Sequence, residues 1–319
     1  MASATRRLIV AANNLRIIYQ NVVDVSTTTI TASSTAVVGN TPASNMKLDS
    51  KSLIWRSDSV TAAAVNGLYT AKANIVLSLA SSNIGGVILP FCNLSSAATI
   101  RVRGYTGTAP TLGGTVDAPT TAATGTLRFD SGVVNACPYQ VLGLWNWGSL
   151  PLGVNSYSYG GGTYGRVWIP LASQAACTSL LIEIVDTQNK SPYIEASRLV
   201  VGSYWYPKYN TSFGLSSTTK DLSSHTRTES GDLVTNRGIS YRSMNFDLKY
   251  LVPSDRLEFT RILRGNGLPR PLVISLFPDN SEDWDKEQAH QIYGKLSQLP
   301  DLVHPMFEIY STTVDIEEI

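Results

Sequence analysis

Residues 82–105, SNIGGVILPFCNLSSAATIRVRGY, contain two strand-like runs that indicate the fold class. The run 86–89 is short and apolar, whereas the run 98–103 alternates, with Ile100 and Val102 on one face and two arginines on the other. The proline, asparagine and serine residues between the runs are typical of a turn. The pattern predicts a hairpin of two strands that share the buried face of an antiparallel β-sandwich.

Similar runs occur on both sides of this segment and extend the same pattern. They are residues 74–79, 127–134, 166–169, 179–186 and 194–206. Residues 106–123 are rich in Gly, Pro, Thr and Ala and indicate a long surface loop. Nearly all of the chain up to Tyr206 therefore reads as strands of one antiparallel β-sandwich.

The last third of the chain has further strand patterns, at 242–248, 272–277 and 307–316. Residues 254–263 alternate less cleanly and fit either a strand or a short helix. Residues 281–299 fit one helix, or a short helix that ends near Gln288 and is followed by a strand at 291–297, and Gly294 favours the second option. The predicted fold class is all-β: an antiparallel β-sandwich followed by a second, smaller β-rich domain with one short helix.

The distribution of charged residues and an interruption of the strand pattern indicate the domain boundaries. Between Trp55 and Leu180 the only acidic residues are Asp58, Asp117 and Asp130, and the charge density rises after that segment. The segment 207–215, PKYNTSFGL, interrupts the strand pattern. We therefore expect an extended arm at 1–40, the sandwich at 41–206 and a β-rich assembly domain at 207–319. A flexible tail is the alternative for the arm.

Charge and hydropathy exclude several classes of function. Only 15% of the residues are charged, against roughly 25% in average soluble domains, and the net charge is +1. This balance gives no signature of nucleic-acid binding. The apolar run 8–12 is too short for a signal peptide, and no run approaches a membrane span, so we expect synthesis in a cytoplasm and no membrane insertion. A low charge is typical of virion and extracellular β-proteins and of assembly subunits; a monomer with a neutral surface is the alternative.

The residue types that carry catalysis or bind metals are sparse. Cys92, Cys137 and Cys177 are odd in number and far apart, which argues against a disulfide framework and against a zinc site. No nucleophile elbow is present, and the segment 160–165 lacks the lysine of a phosphate loop. His225 lies in a polar, turn-like segment. We expect no enzyme activity, no cofactor and no metal.

Two pairs of acidic residues are candidates for the catalytic carboxylates of a glycoside hydrolase, which must face each other. Asp283 and Asp285 stand at a predicted helix start, where acids favour the helix dipole. Glu317 and Glu318 stand at the chain end. Neither pair is placed across a cleft by the sequence pattern.

One segment with few charged residues is rich in aromatic residues and glycine. It contains the candidate interface or sugar-stacking residues Trp145, Trp147, Tyr157, Tyr159 and Tyr164. Aromatic rings on loops form the apolar centre of protein interfaces or stack on sugar rings. The alternative is that most of these rings line the core of the sandwich.

Two sets of motifs carry a resemblance to known families. LIWRS at 53–57, NIVLSL at 74–79 and the segment 85–105 resemble the opening of discoidin-like (factor 5/8 type C) jelly rolls and are similar to structural proteins of tailed bacteriophages. YIEASRLVVGSYWYPKYNTSFGL at 193–215 and the end of the chain, from RGNGLPRP at 264–271 onward, are similar to the junction and C-terminal β domain of the same phage proteins. Together these motifs span most of residues 45–319, and no residue maps onto a known ligand position.

The resemblance implies that the all-β fold begins with an antiparallel jelly-roll β-sandwich. It also implies a non-enzymatic structural protein of a virion, located in the tail tip or baseplate. Repeated copies would pack in a symmetric ring and connect other tail or baseplate proteins, as distal-tail or hub-adaptor proteins do. The alternative is a carbohydrate-binding module that attaches to a host surface glycan.

Overall fold

The computed structural model describes residues 14–137, 163–278 and 284–319. Residues 18–205 form one compact unit, and residues 206–318 form a second one together with residues 14–17. The first unit is called the sandwich below, and the second the C-terminal unit.

The strands and helices fall in the following order along the chain. The first part contains β1 (Arg16–Ile18), β2 (Thr29–Ala32), β3 (Trp55–Arg56), β4 (Tyr69–Asn83), β5 (Gly86–Cys92), β6 (Thr99–Thr106), β7 (Thr111–Gly114), β8 (Pro119–Ala122), β9 (Thr126–Asn135), β10 (Thr163–Trp168), β11 (Ala176–Asn189), β12 (Glu195–Ala196) and β13 (Val200–Gly202). The second part contains β14 (Ser216–Asp221), β15 (Ser224–Arg227), β16 (Leu233–Asn236), β17 (Ser240–Leu251), α1 (Pro253–Asn266), β18 (Leu272–Ser275), α2 (Trp284–Ala289), β19 (Gln291–Leu296), β20 (Val303–Met306) and β21 (Ile309–Glu318).

The sandwich consists of two antiparallel sheets and is a jelly-roll β-sandwich, as predicted. One sheet has the order β2-β4-β11-β6-β9, and the other has the order β10-β5-β12-β3, with β13 also pairing with β5. The core between them comes from alternate residues, such as Ile75 and Leu77 of β4 and Leu180 and Ile182 of β11. Because successive side chains of a strand point to opposite faces, this alternation directs one row inward.

The two strands of residues 82–105 do not pair as a hairpin. β5 lies in one sheet and β6 in the other, so they contribute to the same core from opposite sides. β5 also runs past Pro90 to Cys92, because a bulge places Pro90 and Phe91 opposite the single residue Tyr164. A bulge tolerates a proline because the residue there needs no ladder hydrogen bond. Phe91 takes the left-handed conformation at this bulge, with φ of 55°.

Residues 106–123, predicted as a loop, include the hairpin of β7 and β8. Leu112 of this hairpin packs on a small cluster formed by Val76, Tyr105 and Leu181. These cluster residues lie outside the main core of the sandwich, so the hairpin shields apolar side chains that the sheet alone would expose.

The C-terminal unit is built on a sheet with the order β1-β18-β19-β21-β17-β14, and β20 pairs with β21. β18 is buried along its whole length, whereas β17 and β21 alternate between buried and partly exposed residues. Residues of the expected arm contribute to both units, since β1 joins this sheet and β2 pairs with β4 of the sandwich.

Among its described residues, the C-terminal unit carries two α-helices rather than the single one predicted. α2 is the expected short helix, and the strand after it, β19, is confirmed. The additional helix, α1, spans the segment that the sequence left open between strand and helix. Its buried residues, Asp255, Phe259, Ile262 and Asn266, follow helical spacing, and the charged residues between them blur the pattern in the sequence. Neither of the two described helices is long and apolar enough to cross a membrane.

Candidate interaction surface

The C-terminal unit presents a groove of about 560 Å³ between β17, the segment 298–301 and the hairpin of β20 and β21. Tyr250, Leu299, Val303 and Met306 line it, and each of these side chains is about half exposed or more. Phe307 follows Met306 and is 86% exposed. These five residues are called the apolar surface below.

The local backbone explains how the apolar surface projects. Met306 of β20 pairs with Ile309 of β21, so only Phe307 and Glu308 form the turn. Glu308, the second of these two residues, takes a left-handed conformation, with φ of 56°, as the second central residue of a type II turn does. The turn therefore holds Phe307 at the tip of a hairpin rather than in the core of the unit.

Polar side chains fix one wall of the groove. The hydroxyl of Thr313 donates a hydrogen bond of 2.6 Å to Asp247 Oδ1, and Lys249 Nζ lies 3.4 Å from Asp247 Oδ2. Beside the groove, the ring of His304 stacks on Tyr310 with 4.5 Å between the ring centroids, and the Arg256 guanidinium lies 4.8 Å from the centroid of the Tyr310 ring. The groove thus combines apolar side chains with hydrogen-bonding groups on a wall that is held in place.

A second exposed feature of this unit is the ribbon of β15 and β16. All eight residues of its two strands are exposed, including Leu233 and Val234. The ribbon is held by the antiparallel pairing of the two strands and by a 2.9 Å hydrogen bond between His225 Nδ1 and the Thr235 hydroxyl. Because an isolated two-stranded ribbon is only marginally stable in water, its exposed apolar residues are suited to pack against another chain.

Of the aromatic residues predicted for a site, the structure describes one. Tyr164 is buried, with 3% of its surface exposed, and packs edge to face on Phe91 at 5.5 Å between ring centroids. Its position fits the alternative that these rings line the core. Trp145, Trp147, Tyr157 and Tyr159 lie outside the described residues. Over residues 18–137 and 163–205, every Trp, Tyr and Phe side chain is buried or partly buried.

The candidate catalytic residues whose side chains the structure describes have structural partners. Glu318 forms a buried ion pair with Arg242 at 2.8 Å, and Glu317 pairs with Lys220. His225 lies on an exposed strand rather than in a turn. Asp283 and the side chain of Asp285 lie outside the described residues. Within the part of the chain that is described, no group of three or more His, Cys, Asp or Glu side chains is placed to hold a metal ion.

Sequence reasoning missed the apolar surface, although a signal for it was present. Residues 299–307 read LPDLVHPMF, with apolar residues and two prolines in a short segment that is neither a periodic helix nor a clean strand. Which of these side chains remain exposed depends on the pairing of β20 with the end of β21, and the pattern alone does not specify that pairing.

Comparisons with known proteins give low similarity throughout. No protein-family model matches the chain. No curated protein matches it. Among solved structures, a fucosidase of family GH29 from Ruminococcus gnavus in complex with fucose is 10% identical, with a TM-score of 0.35. The match covers 58% of this chain and 27% of the fucosidase, so the chain spans about a quarter of that enzyme.

Two smaller solved modules are also similar. The family 32 carbohydrate-binding module of NanJ from Clostridium perfringens, in complex with galactose, is 13% identical, with a TM-score of 0.32 over 58% of this chain and 98% of the module. Chitosan-binding module 1 of a chitosanase/glucanase from Paenibacillus sp. IK-5 is 16% identical, with a TM-score of 0.32 over 58% of this chain and 99% of the module. At these scores the likenesses assign no ligand to this chain.

Proposed function

We propose that this chain is a non-enzymatic assembly protein whose C-terminal unit docks onto a partner protein. The observation that carries the proposal is the apolar surface, where four side chains converge on one groove and Phe307 projects beside it. Contiguous exposed apolar patches on soluble proteins mark interaction sites, since their exposure to water is unfavourable.

The chemistry of the groove favours a protein over a small ligand. Its apolar residues are flanked by the polar groups of Asp247, Lys249 and Thr313, and protein interfaces combine an apolar centre with a polar rim in the same way. Phe307 and Met306 are of residue types enriched at such interfaces. The exposed ribbon of β15 and β16 supplies further apolar side chains on the same unit.

The class of the partner follows from the sequence resemblance to tailed-bacteriophage proteins. We infer that the partners are other tail or baseplate proteins and further copies of this chain, arranged around the tail axis. The proposal places the protein in the virion tail after synthesis in the bacterial cytoplasm.

The first test is cryo-electron microscopy of particles from the source of this chain. The chain is expected in the tail density, with Met306 and Phe307 against a neighbouring subunit. Its absence from the tail would overturn the virion proposal, and its presence with the apolar surface facing solvent would overturn the docking proposal.

A pair of variants tests the surface directly. The double variant Met306→Ser/Phe307→Ser is expected to be lost from assembled particles, because it removes two apolar contacts at the interface and leaves the described core intact. The matched control is Val37→Ser/Val38→Ser, which replaces two residues of the sandwich that are 93% and 83% exposed. Equal incorporation of both double variants would contradict the assignment of the interface.

A second candidate function is carbohydrate binding by the sandwich, the property named for the two modules above. The observation that favours it is in the sequence: no charged residue occurs between Asp130 and Arg166, and this segment contains Trp145, Trp147, Tyr157 and Tyr159. Aromatic rings in an uncharged, glycine-rich segment suit stacking on sugar rings.

A glycan array with the purified chain separates the two candidates. If the sandwich binds sugars, Trp145→Ala/Trp147→Ala loses the signal and Met306→Ser/Phe307→Ser keeps it. If the aromatic segment instead meets a partner subunit, Trp145→Ala/Trp147→Ala impairs particle assembly and the array shows no signal for the unmodified chain. Unchanged assembly together with an empty array removes both roles for these tryptophans.

A further inference from the structure

Two cysteines that are far apart in the sequence meet inside the sandwich. Cys92 ends β5 in one sheet, and Cys137 follows the end of β9 in the other. Both are buried, with 1% and 0% of their surface exposed, and their thiols are hydrogen-bonded to each other. The Cys137 thiol also lies 3.9 Å from the carbonyl oxygen of Leu94.

The backbone holds both cysteines in place. Cys92 is paired with Thr163 on one side and with Ala196 on the other. Next to Cys137, the N–H of Ala136 donates to Ala98 O, and its carbonyl accepts from Arg166 N–H, each at 2.8 Å. Backbone hydrogen bonds of regular strands therefore position the two cysteines within the sandwich.

Gly165 of β10 lies beside this pair. A Cβ atom at residue 165 would lie 3.5 Å from Cys92 Sγ and 3.2 Å from a methyl group of Leu94. The sulfur of Cys92 thus occupies the space between β10 and the chain that leads from β5 to β6.

The two thiols differ in acidity. Burial raises the pKa of Cys92, but hydrogen bonds to its sulfur from the Cys137 thiol and from the backbone N–H groups of Leu94 and Gly165 lower it, and the net direction is down. The hydrogen bond to Cys92 and burial raise the pKa of Cys137 well above its ordinary value. The direction of these shifts makes Cys92 the more acidic thiol of the pair, and the thiolate is the nucleophile in disulfide exchange.

We propose that Cys92 and Cys137 form a disulfide on exposure to a small-molecule disulfide oxidant, and that this bond joins the two sheets of the sandwich. The Cys92 thiolate attacks one sulfur of the oxidant, forms a mixed disulfide and releases one thiolate. Cys137 then loses its proton and attacks Cys92 Sγ, which releases the second thiolate. The two protein thiols are oxidised, and one oxidant disulfide is reduced to two thiols.

The bond closes the loop of residues 92–137, and closing a loop of this size removes conformational freedom from the unfolded chain. In the reducing cytoplasm both thiols persist, and the bond forms in oxidising surroundings. Because both sulfurs are buried, the exchange requires local opening and is expected to be slower than oxidation of an exposed thiol pair.

The test uses the full chain, purified under reducing conditions and then incubated with oxidised glutathione. Mass spectrometry of a digest without reductant is expected to show a peptide that links Cys92 to Cys137 and lacks two hydrogens. Thermal unfolding of the oxidised chain is expected at a Tm roughly 5–10 °C above that of the reduced chain. These two readouts need no substitution and therefore do not depend on whether a variant folds.

Cys177 supplies the matched control, since it is also fully buried but lies beside the carbonyl oxygen of Ser82. Cys177→Ala is expected to keep both the linked peptide and the rise in Tm, and Cys92→Ala and Cys137→Ala are each expected to lose them. A linkage through Cys177 would overturn the proposal. So would complete alkylation of all three thiols when the oxidant-treated chain is unfolded.

Discussion

At the scale of single residues, Asp186 organises the connection between the two sheets. Its buried carboxylate accepts hydrogen bonds from the backbone N–H of Ser95 at 2.7 Å and from the Ser95 hydroxyl at 2.5 Å. It also accepts from Gln188 N–H at 3.0 Å and from Asn189 Nδ2 at 3.1 Å. Burial raises the pKa of Asp186, although the hydrogen bonds that it accepts act in the opposite direction. Its bonds to Ser95 hold the chain after β5 in position.

We expect Asp186→Ala to lower the free energy of unfolding by about 3 kcal/mol, because several donors lose their buried acceptor. Urea-induced unfolding measures this change. The control is Asp130→Ala, which breaks a partly exposed ion pair with Arg101 and is expected to cost about 1 kcal/mol or less. Equal losses in the two variants would show that the bonds around Asp186 contribute nothing specific.

The buried thiol of Cys177 is expected to make the stability of the protein depend on pH. Burial raises its pKa from 9.0 to about 12, so the folded state holds this proton more tightly than the unfolded state does. The resulting stabilisation is complete below pH 9 and is lost as the pH rises towards 12. The advantage of the unmodified chain over Cys177→Ala in free energy of unfolding should therefore shrink above pH 9, and a constant difference between the two proteins would contradict this assignment.

At the scale of elements, the position of a strand was easier to predict than the identity of the strands with which it pairs. The alternation in 98–103 and the apolar run in 86–89 identify β6 and β5, because periodicity reflects which side chains are buried. The same turn residues suit a hairpin and a connection between two sheets. The choice between them depends on contacts such as that of Ser95 with Asp186, which lie far apart in the sequence.

The β15–β16 ribbon leads to a prediction about an element. Replacing residues 223–238 with an Asn-Gly turn is expected to change the free energy of unfolding by less than about 0.5 kcal/mol, because the two strands removed are exposed. The hydrogen bond from Leu222 N–H to Ile239 O, 3.0 Å long, would flank the new turn. Urea-induced unfolding measures the effect.

The matched control for the ribbon is removal of the β7–β8 hairpin. This deletion is expected to destabilise the protein, because Leu112 covers Val76, Tyr105 and Leu181. If the two deletions have equal effects, the ribbon is part of the fold rather than an exposed projection.

At the scale of the whole molecule, each unit has an apolar core of its own. All buried residues of the main core cluster, from Val23 to Val201, fall within residues 18–205. The C-terminal unit buries a separate set that includes Phe246, Phe259 and Ile274.

The fragment 18–205 is therefore expected to fold alone with a cooperative thermal transition. The fragment 41–205, which starts where the sequence pattern placed the sandwich, is expected to melt at a lower temperature. It lacks β2, which pairs with β4, and Val23, which is fully buried in the core. Circular dichroism on heating compares the two fragments, and identical melting would show that residues 18–40 contribute nothing to the sandwich.

Local sequence patterns were enough to predict the fold class, most strands of the sandwich and the short helix followed by a strand near residue 290. These features follow from local periodicity, which is the spacing of apolar and polar residues within one short segment. Three features became visible only in the three-dimensional structure. β5 and β6 lie in different sheets, Cys92 contacts Cys137, and Met306 and Phe307 are exposed. Each of these depends on contacts between residues far apart along the chain, and no local pattern encodes which distant side chains meet.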